Sequence, residues 1–560
     1  MTPFVLFLAF LHVSLSFAKT VTYDFDVGWV SAAPDGFVRP VIGINGQWPN
    51  PTIEANVNDT IVVNLRNSLG NESTSLHFHG MWQQGSGTSD GPVGVAQCTI
   101  NPGQSYTYTF KAYPAGTHWY HSHTKGQYPD GLRGKMIIHD TNWEKSLKID
   151  EQIYLSMSDW YHTQQPFLIN QYLSPDNRNG NVATPDSFLF NDARKAPEFV
   201  FEPGKRYLLR IVSFSALACG QFHIEGHPLS VVAIDGVPTH PKDATTIIVC
   251  AGQSYDVVVT GKENANNNVQ YIAKMSPDML TGPPPRDEDI TVIGEILYEV
   301  LGSLLDLLSG LLDPSWKPDT NTILNDMTLT PLDDQPLLKN PQSNIVLRTN
   351  QTYYEGIGSR IGLGDQPWTE PKVPSLYTAL STGEAASQAS TYGIGTDPWV
   401  IKSGHVVQVY MENPQVWPHP MHLHGHVFQV VSRGAGSWDG NEGNLPAVPM
   451  KRDNVVIPAN GYVVLRFRAD NPGVWFFHCH IDLHLVGGMA ATFIEAPEVL
   501  QATQSIPAAG VGLCAAVGKV ASGNCAGQQG AMSWAQGTDQ CNTIFNSKAG
   551  SYGALVYPPS

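Results

Sequence analysis

The sequence predicts an all-β protein built of several β-sandwiches in series, and three observations carry that prediction. Short runs with β character dominate: residues 60–65, 105–110, 207–212, 255–260, 405–410 and 462–467. Each alternates in polarity or is rich in β-branched and aromatic side chains, and Gly, Pro and Asn separate them, as expected of half-buried strands joined by turns. Gly (52) and Pro (41) make up about a sixth of the 560 residues, which suits turn-dense β structure rather than helical bundles. Finally, a loose repeat stands before a strand three times, as Asn101-Pro-Gly-Gln-Ser-Tyr106, Glu202-Pro-Gly-Lys-Arg-Tyr207 and Pro458-Ala-Asn-Gly-Tyr462. It marks three units of similar length.

The composition fits a globular chain with ample core, at 42% hydrophobic and 14% charged residues. A net charge of −17 argues against nucleic acid or an anionic membrane as the main partner. Residues 1–18 read as a secretory signal peptide: the apolar run from Phe4 to Leu11 is too short to span a bilayer, and Ser16-Phe17-Ala18 is a small-x-small cleavage site. Sequons at Asn58, Asn71 and Asn350 fit a secreted, extracellular chain in or beyond a cell wall. No later run has the length and apolarity of a membrane span or of a lipid-anchor signal. The three units are placed at 19–145, 146–280 and 344–500. Between the last two lies a linker, 281–343, opening with Thr281-Gly-Pro-Pro-Pro285. Within it Ile293, Ile296, Leu297, Val300, Leu301, Leu304, Leu305, Leu308, Leu311 and Leu312 predict an amphipathic helix over 290–312, packed on a sandwich or making a dimer contact. Residues 501–560 form a small-residue-rich C-terminal extension with three cysteines.

Histidine carries the chemical signal. From 19 histidines about 0.6 His-x-His pairs are expected by chance, and the chain has five: 77/79, 121/123, 422/424, 424/426 and 478/480. Residues i and i+2 of a strand face the same side, so each pair offers two imidazoles to one site. Two pairs lie in the first unit, three in the third and none in the second. Lone histidines (118, 139, 162, 223, 227, 240 and 405) read as surface or hydrogen-bonded core residues. Of seven cysteines, Cys479 is set apart by its flanking His478 and His480, leaving six for three disulfides. A thiolate at Cys479, a histidine at 484, a methionine at 489 and a distant His419 make the two-His, one-Cys, weak-axial-Met set of a blue-copper centre. The neighbours of Cys479 point to the opposite face, toward further metal.

These residues resemble the multicopper oxidases. The resemblance rests on His77-Phe-His-Gly80, Trp119-Tyr-His-Ser-His123, His419-Pro-Met-His-Leu-His-Gly-His426 and the His478-Cys-His480 block, and covers nearly all of 22–497. Asn471-Pro-Gly-Val-Trp-Phe-Phe-His-Cys-His480 and 123–131 are closest to the fungal branch of iron-uptake ferroxidases and ascomycete laccases. The resemblance implies three cupredoxin-like Greek-key domains and four coppers. The type 1 copper would take His419, Cys479 and His484, with Met489 axial. The type 2 copper would take His77 and His422, and the type 3 pair His79, His121, His123, His424, His478 and His480. The second domain would hold no copper and serve as a spacer shaping the substrate pocket. Reduction of O2 to water needs protons, for which Asp90 and Asp482 stand at matching positions, each equally suited to orienting a ligand. By the same resemblance Cys98 pairs with one of Cys514, Cys525 or Cys541, while Cys219 and Cys250 are a plausible pair within one domain.

The reducing substrate is read from the type 1 rim. The iron-oxidising branch carries acids at positions matching Val182 and Gln415, with Thr281 as a third. None is acidic here, although Glu412 or Asp186 could substitute. Trp417 and Pro418 offer apolar walls beside His419, and Asp186 or Asp192 a proton acceptor. The sequence therefore predicts oxidation of small phenols with O2 as acceptor, in pigment or secondary-metabolite coupling, with Fe2+ oxidation as the alternative and a non-catalytic copper-binding protein as a minor one.

Overall fold

The structure is a computed structural model that describes residues 18–263, 268–298 and 313–530. Three two-sheet sandwiches follow one another. In the first, strands Arg39–Ile44, Thr20–Ala32, Thr60–Asn67 and Ser105–Lys111 face a second sheet of Ile53–Asn56, Arg133–His139, Gly116–His121 and His77–His79. The second has sheets of six and five strands and the third two sheets of five, with an added hairpin, Asn350–Tyr354 and Gly358–Gly362. The same parallel pairing recurs in each unit: Thr20–Ala32 beside Thr60–Asn67, Glu151–Trp160 beside Arg206–Ser213, and Ser343–Arg348 beside Val406–Asn413.

That recurrence corrects the predicted helix over 290–312. Residues Thr291–Tyr298 are a strand, antiparallel to Val269–Met275 and parallel to Phe199–Phe201. They take the place that Arg133–His139 has in the first sandwich and Ala490–Glu495 in the third. Val292, Ile296 and Tyr298 are buried, so a period of two wins over the helical spacing once an open sheet edge is available. The remainder of the predicted helix, 299–312, lies outside the described residues, and nothing supports the dimer contact assigned to it. Residues 1–17, and with them most of the expected leader, also lie outside. Among the described residues no helix is long and apolar enough to cross a membrane.

Cys98 pairs with Cys514 and so ties the first sandwich to the C-terminal extension; Cys219 pairs with Cys250. Leu500, Leu513 and Cys514 pack into the core of the first sandwich, so the extension is part of that core rather than a loose tail. The pairing of Cys541 lies outside the described residues. Among those described, the one free cysteine is Cys479, fully buried.

A buried charge clamp locks the second and third sandwiches together. Arg452 donates to Asp235 Oδ2 (2.8 Å) and to Asp326 Oδ2 (2.8 Å), and the Arg452 side chain is 0% exposed. Burial alone would raise the Asp326 carboxyl, yet Arg433 and Arg452 outweigh it and hold the group below its usual range. Its contribution is therefore complete above the unfolded value, about pH 4, and is lost as pH falls through the lower folded value. Arg452→Met should destabilise this part of the molecule by about 3–5 kcal/mol in chemical denaturation, because the buried Asp235 loses its Arg452 partner and Asp326 keeps only Arg433. Asp326→Asn should flatten the fall in melting temperature below about pH 4; an unchanged acid limb would show that Asp326 does not contribute.

Candidate metal centres

Strand pairing brings the histidines to one seam. In the first sandwich His77 lies opposite His121 and His79 opposite Trp119, with Phe78 turned into the core between them. In the third, His422 lies opposite His478 and Met421 opposite Cys479. Two-residue alternation thus sends His422 and His478 to one face and Met421 and Cys479 to the other. The two sandwiches meet so that rings interleave: His77 stacks on His424 at 3.9 Å and His79 on His422 at 3.8 Å.

Hydrogen bonds fix the tautomers. His77 Nδ1 donates to the Asp90 carbonyl (2.7 Å) and His424 Nδ1 to the Asp90 carboxylate (2.8 Å). His121, His422 and His478 donate from Nδ1 to the carbonyls of Ser122, Asp453 and Cys479, each at 2.9 Å. Their Nε2 lone pairs are left facing inward. Nε2 of His478 lies 3.1 Å from that of His424 and 3.3 Å from that of His123. Nε2 of His77, His121 and His422, and both ring nitrogens of His79 and His480, are buried with no hydrogen-bond partner. Burial, reinforced by the neighbouring rings, holds His79, His121, His123, His422, His424 and His478 far below the ordinary histidine range, and pushes His480 down to about 3. Neutral lone pairs converging in a dry space are what metal ions require. The donors sort into two triads, His79/His121/His480 and His123/His424/His478, with His77 and His422 beside them.

A second set lies across the strand. His419 Nδ1, His484 Nδ1 and Cys479 Sγ form a triangle with sides of 3.2, 3.7 and 3.8 Å. Here the outer nitrogen is Nε2: that of His419 donates to Gln415 Oε1 at 2.7 Å, so Nδ1 keeps its lone pair. His484 sits on the short helix Asp482–Val486 and is pushed down to about 3 by burial. Burial pushes the Cys479 thiol up, so a thiolate there needs a cation. Met489 is fully buried, its backbone N–H bonded to the His484 carbonyl and its carbonyl to the Cys479 N–H.

The acids divide by role. Asp90, 0% exposed, grips ligand rings from both sandwiches. Asp482 instead lines a cleft with His121, His123, Lys125, Tyr128 and His480; its Oδ2 has no partner, and burial, with the charges of Asp130 and Asp159, pushes it up to about 7. Asp453 was not foreseen. Its Oδ1 lies 3.5 Å from His79 Nε2 and 3.7 Å from His422 Nδ1, and no motif signals it; only the pairing of Asn454 with His422 brings it there. The pair 424/426 does not serve one site as expected. Gly425, at φ +71°, breaks the strand alternation, and His426 Nε2 turns away to donate to Glu495 Oε2 at 2.7 Å. The second domain is more than a spacer: a β-carbon on Gly252 (φ +79°) would lie 2.5 Å from His480 Cδ2, so this glycine lets that domain close directly on the cluster.

At the rim, Val182 packs in the apolar cluster that includes Cys479 and Met489, its carbonyl accepting from Thr281 Oγ1 at 3.2 Å. Asp186 accepts from the His162 N–H, Asp192 is paired with Arg133, and Glu412 accepts from the Tyr410 hydroxyl. None of these acids is bonded to His419 or His484.

Fold and donor sets together define a redox metalloprotein with one sulfur-containing centre and one all-imidazole cluster. Residues 26–143, 151–292 and 368–499 each match a multicopper oxidase family profile, and the chain belongs to that family. It is a copper protein of four coppers and an oxidase that uses O2. It is 42% identical over 92% of its length, and 82% of the relative's, to the iron transport multicopper oxidase fetC of Epichloe festucae. Among solved structures it resembles Fet3p, a multicopper oxidase that functions in iron import, with TM-score 0.85, 32% identity and coverage of 91% and 97% of the two chains. It also resembles a laccase from Botrytis aclada, with TM-score 0.76, 25% identity and coverage of 90% and 93%. This overturns the expected phenolic substrate and pigment-coupling role: the chain is similar along nearly its whole length to iron transport multicopper oxidases. The absence of acids at Val182 and Gln415 is a local feature of two loop positions and does not outweigh similarity along nearly the whole chain.

Cys479→Ser should abolish the blue colour and leave about three coppers per chain by metal analysis, since the eight seam histidines are untouched. Loss of all copper would instead show that the two centres cannot form separately.

Proposed function

We propose that this chain is a secreted ferroxidase. It takes one electron from each of four Fe2+ ions and passes them, with four protons, to O2, giving four Fe3+ and two waters. The observation that carries this reading is its similarity to iron transport oxidases along nearly the whole chain. Secretion rests on the leader-like residues 1–18 and the three sequons.

In this reading His419, Cys479 and His484 would hold the type 1 copper, with Met489 beside them. His77 and His422 would hold type 2, and the two histidine triads would hold the type 3 pair. When bound, copper supplies single-electron storage and the four-electron reduction of O2. The chain supplies the rest. Cys479 is joined through its own backbone to His478 and His480, so one covalent segment links the two donor sets. Asp90 holds His77 and His424 in the tautomers that present Nε2. Asp482, in its cleft beside the triads, is placed to hand protons to the reducing oxygen. Gln415 fixes His419 and presents a neutral amide at the rim, so Fe2+ is gathered mainly by the long-range field of a chain with net charge −17.

Oxygen uptake with Fe2+ as sole reductant tests the reading directly. The expected result is Fe2+-dependent uptake at about four Fe2+ per O2; no uptake, or slower turnover than with an electron-rich phenol, would overturn it. Gln415→Asp should raise kcat/KM for Fe2+ about tenfold through a charge-assisted contact of ~1.5 kcal/mol, with steeper salt dependence. Asp482→Asn should slow reoxidation by O2 about 100-fold while leaving anaerobic bleaching of the blue band unchanged. Equal slowing of both half-reactions would remove Asp482 from the proton path.

A further inference from the structure

One buried side chain grips both halves of the imidazole cluster from behind. Asn471 Nδ2 donates to the carbonyl of Gly425 at 2.8 Å and to that of Trp82 at 2.7 Å. Gly425 lies between His424 and His426 in the third sandwich. Trp82 follows the first-sandwich strand His77–His79 by three residues, through a tight turn in which the Met81 N–H bonds to the Phe78 carbonyl at 3.1 Å. A single amide group therefore bonds to the ligand-bearing segments of two sandwiches.

Asn471 is itself held at both ends of its backbone. Its backbone N–H donates to Glu495 Oε1 at 2.6 Å, and its carbonyl accepts from Trp475 Nε1 at 2.8 Å. The second Glu495 oxygen accepts from His426 Nε2, so the chain of contacts closes on the same turn that carries His424. The Trp475 ring backs Gly425 so closely that a β-carbon there would lie 2.5 Å from it. Glu495 is 0% exposed and Asn471 2% exposed, so no water competes for these bonds. Among the described residues the Asn471 amide oxygen has no partner. Both bonds, one within the third sandwich and one across to the first, come from the NH2 group, and a carboxylate could make neither.

We propose that Asn471, backed by the His426–Glu495 pair, is a positioning residue that sets the spacing between the first-sandwich and third-sandwich halves of the cluster. Its effect falls most heavily on the type 2 copper. That metal has one imidazole from each side, His77 and His422, whereas each type 3 copper has three and retains two from one sandwich if the seam shifts. The inference rests on the ligand assignment above and extends it to a residue that touches no metal.

Asn471→Asp keeps the size of the side chain and sets a carboxylate against two carbonyl oxygens; Glu495→Gln keeps one of two acceptors and loses the other. Both variants, as copper-loaded full-length protein, would be challenged with a chelator and followed by copper analysis, the type 2 paramagnetic resonance signal, the blue absorption and the melting temperature. Asn471→Asp is expected to release type 2 copper about tenfold faster or more, with the blue band retained, and Glu495→Gln to show a smaller effect in the same direction. Wild-type retention of type 2 copper in Asn471→Asp would overturn the proposal. So would loss of all four coppers with the fold, if Glu495→Gln then shows no selective type 2 loss. His422→Ala separates the two layers of inference: if it keeps the type 2 signal, the ligand assignment fails rather than the role of Asn471.

Discussion

Neutral imidazoles whose lone pairs meet at little more than 3 Å inside a dry seam are the constraint on which the rest of this structure depends. Such an arrangement is repulsive without a cation, and every surrounding device serves to hold it. Carbonyls and the Asp90 carboxylate take the outer ring protons, so the rings cannot turn their lone pairs away. Burial keeps the rings uncharged. The seam itself is pinned by Asn471, while the Arg452 clamp fixes the second sandwich against the third.

The chain builds two centres of different character from one strand by using its period. In Gly473–Cys479, alternation sends His478 toward the seam and Cys479 away from it, with His480 just past the strand end. The sulfur centre presents Nδ1 of its histidines and the seam Nε2 of most of its own; for His419 and His478 the choice follows from which nitrogen has a protein acceptor. The close coupling of the centres is thus a consequence of β geometry rather than of any special linker.

Much of this could be read from the sequence because strands write their chemistry locally. His77, His79, His121 and His123, and the block around Cys479, occur in pairs whose spacing already states that they share a face. What could not be read came from pairing between distant segments. Asp453 reaches His79 and His422 only through sheet register, and Gln415 reaches His419 through a loop. The pair 424/426 suggested two imidazoles facing one site, but the left-handed Gly425 turns His426 into a structural contact with Glu495. The strand Thr291–Tyr298 was hidden by a helical spacing of apolar residues that continues beyond it. Its assignment was decided by the missing last strand of the second sandwich, a property of topology and not of the segment.

The same division explains why the reducing substrate was misjudged while the metal chemistry was not. The candidate copper donors sit on strands, their immediate ends and the short helix Asp482–Val486, where a changed residue would leave an unpaired lone pair or a buried void. The rim positions, Val182, Thr281 and Gln415, lie on connecting segments, which tolerate substitution. One carboxylate contact to a cation contributes about 1.5–3 kcal/mol, or roughly one to two orders of magnitude in affinity. In the ferroxidase reading, replacing it by an amide would change how much Fe2+ is needed, whereas electron transfer would require only that a donor approach His484 or the Gln415–His419 contact. Neutral residues at the rim are evidence about the Michaelis constant of the reaction, and only similarity along the full chain bears on which reductant it serves.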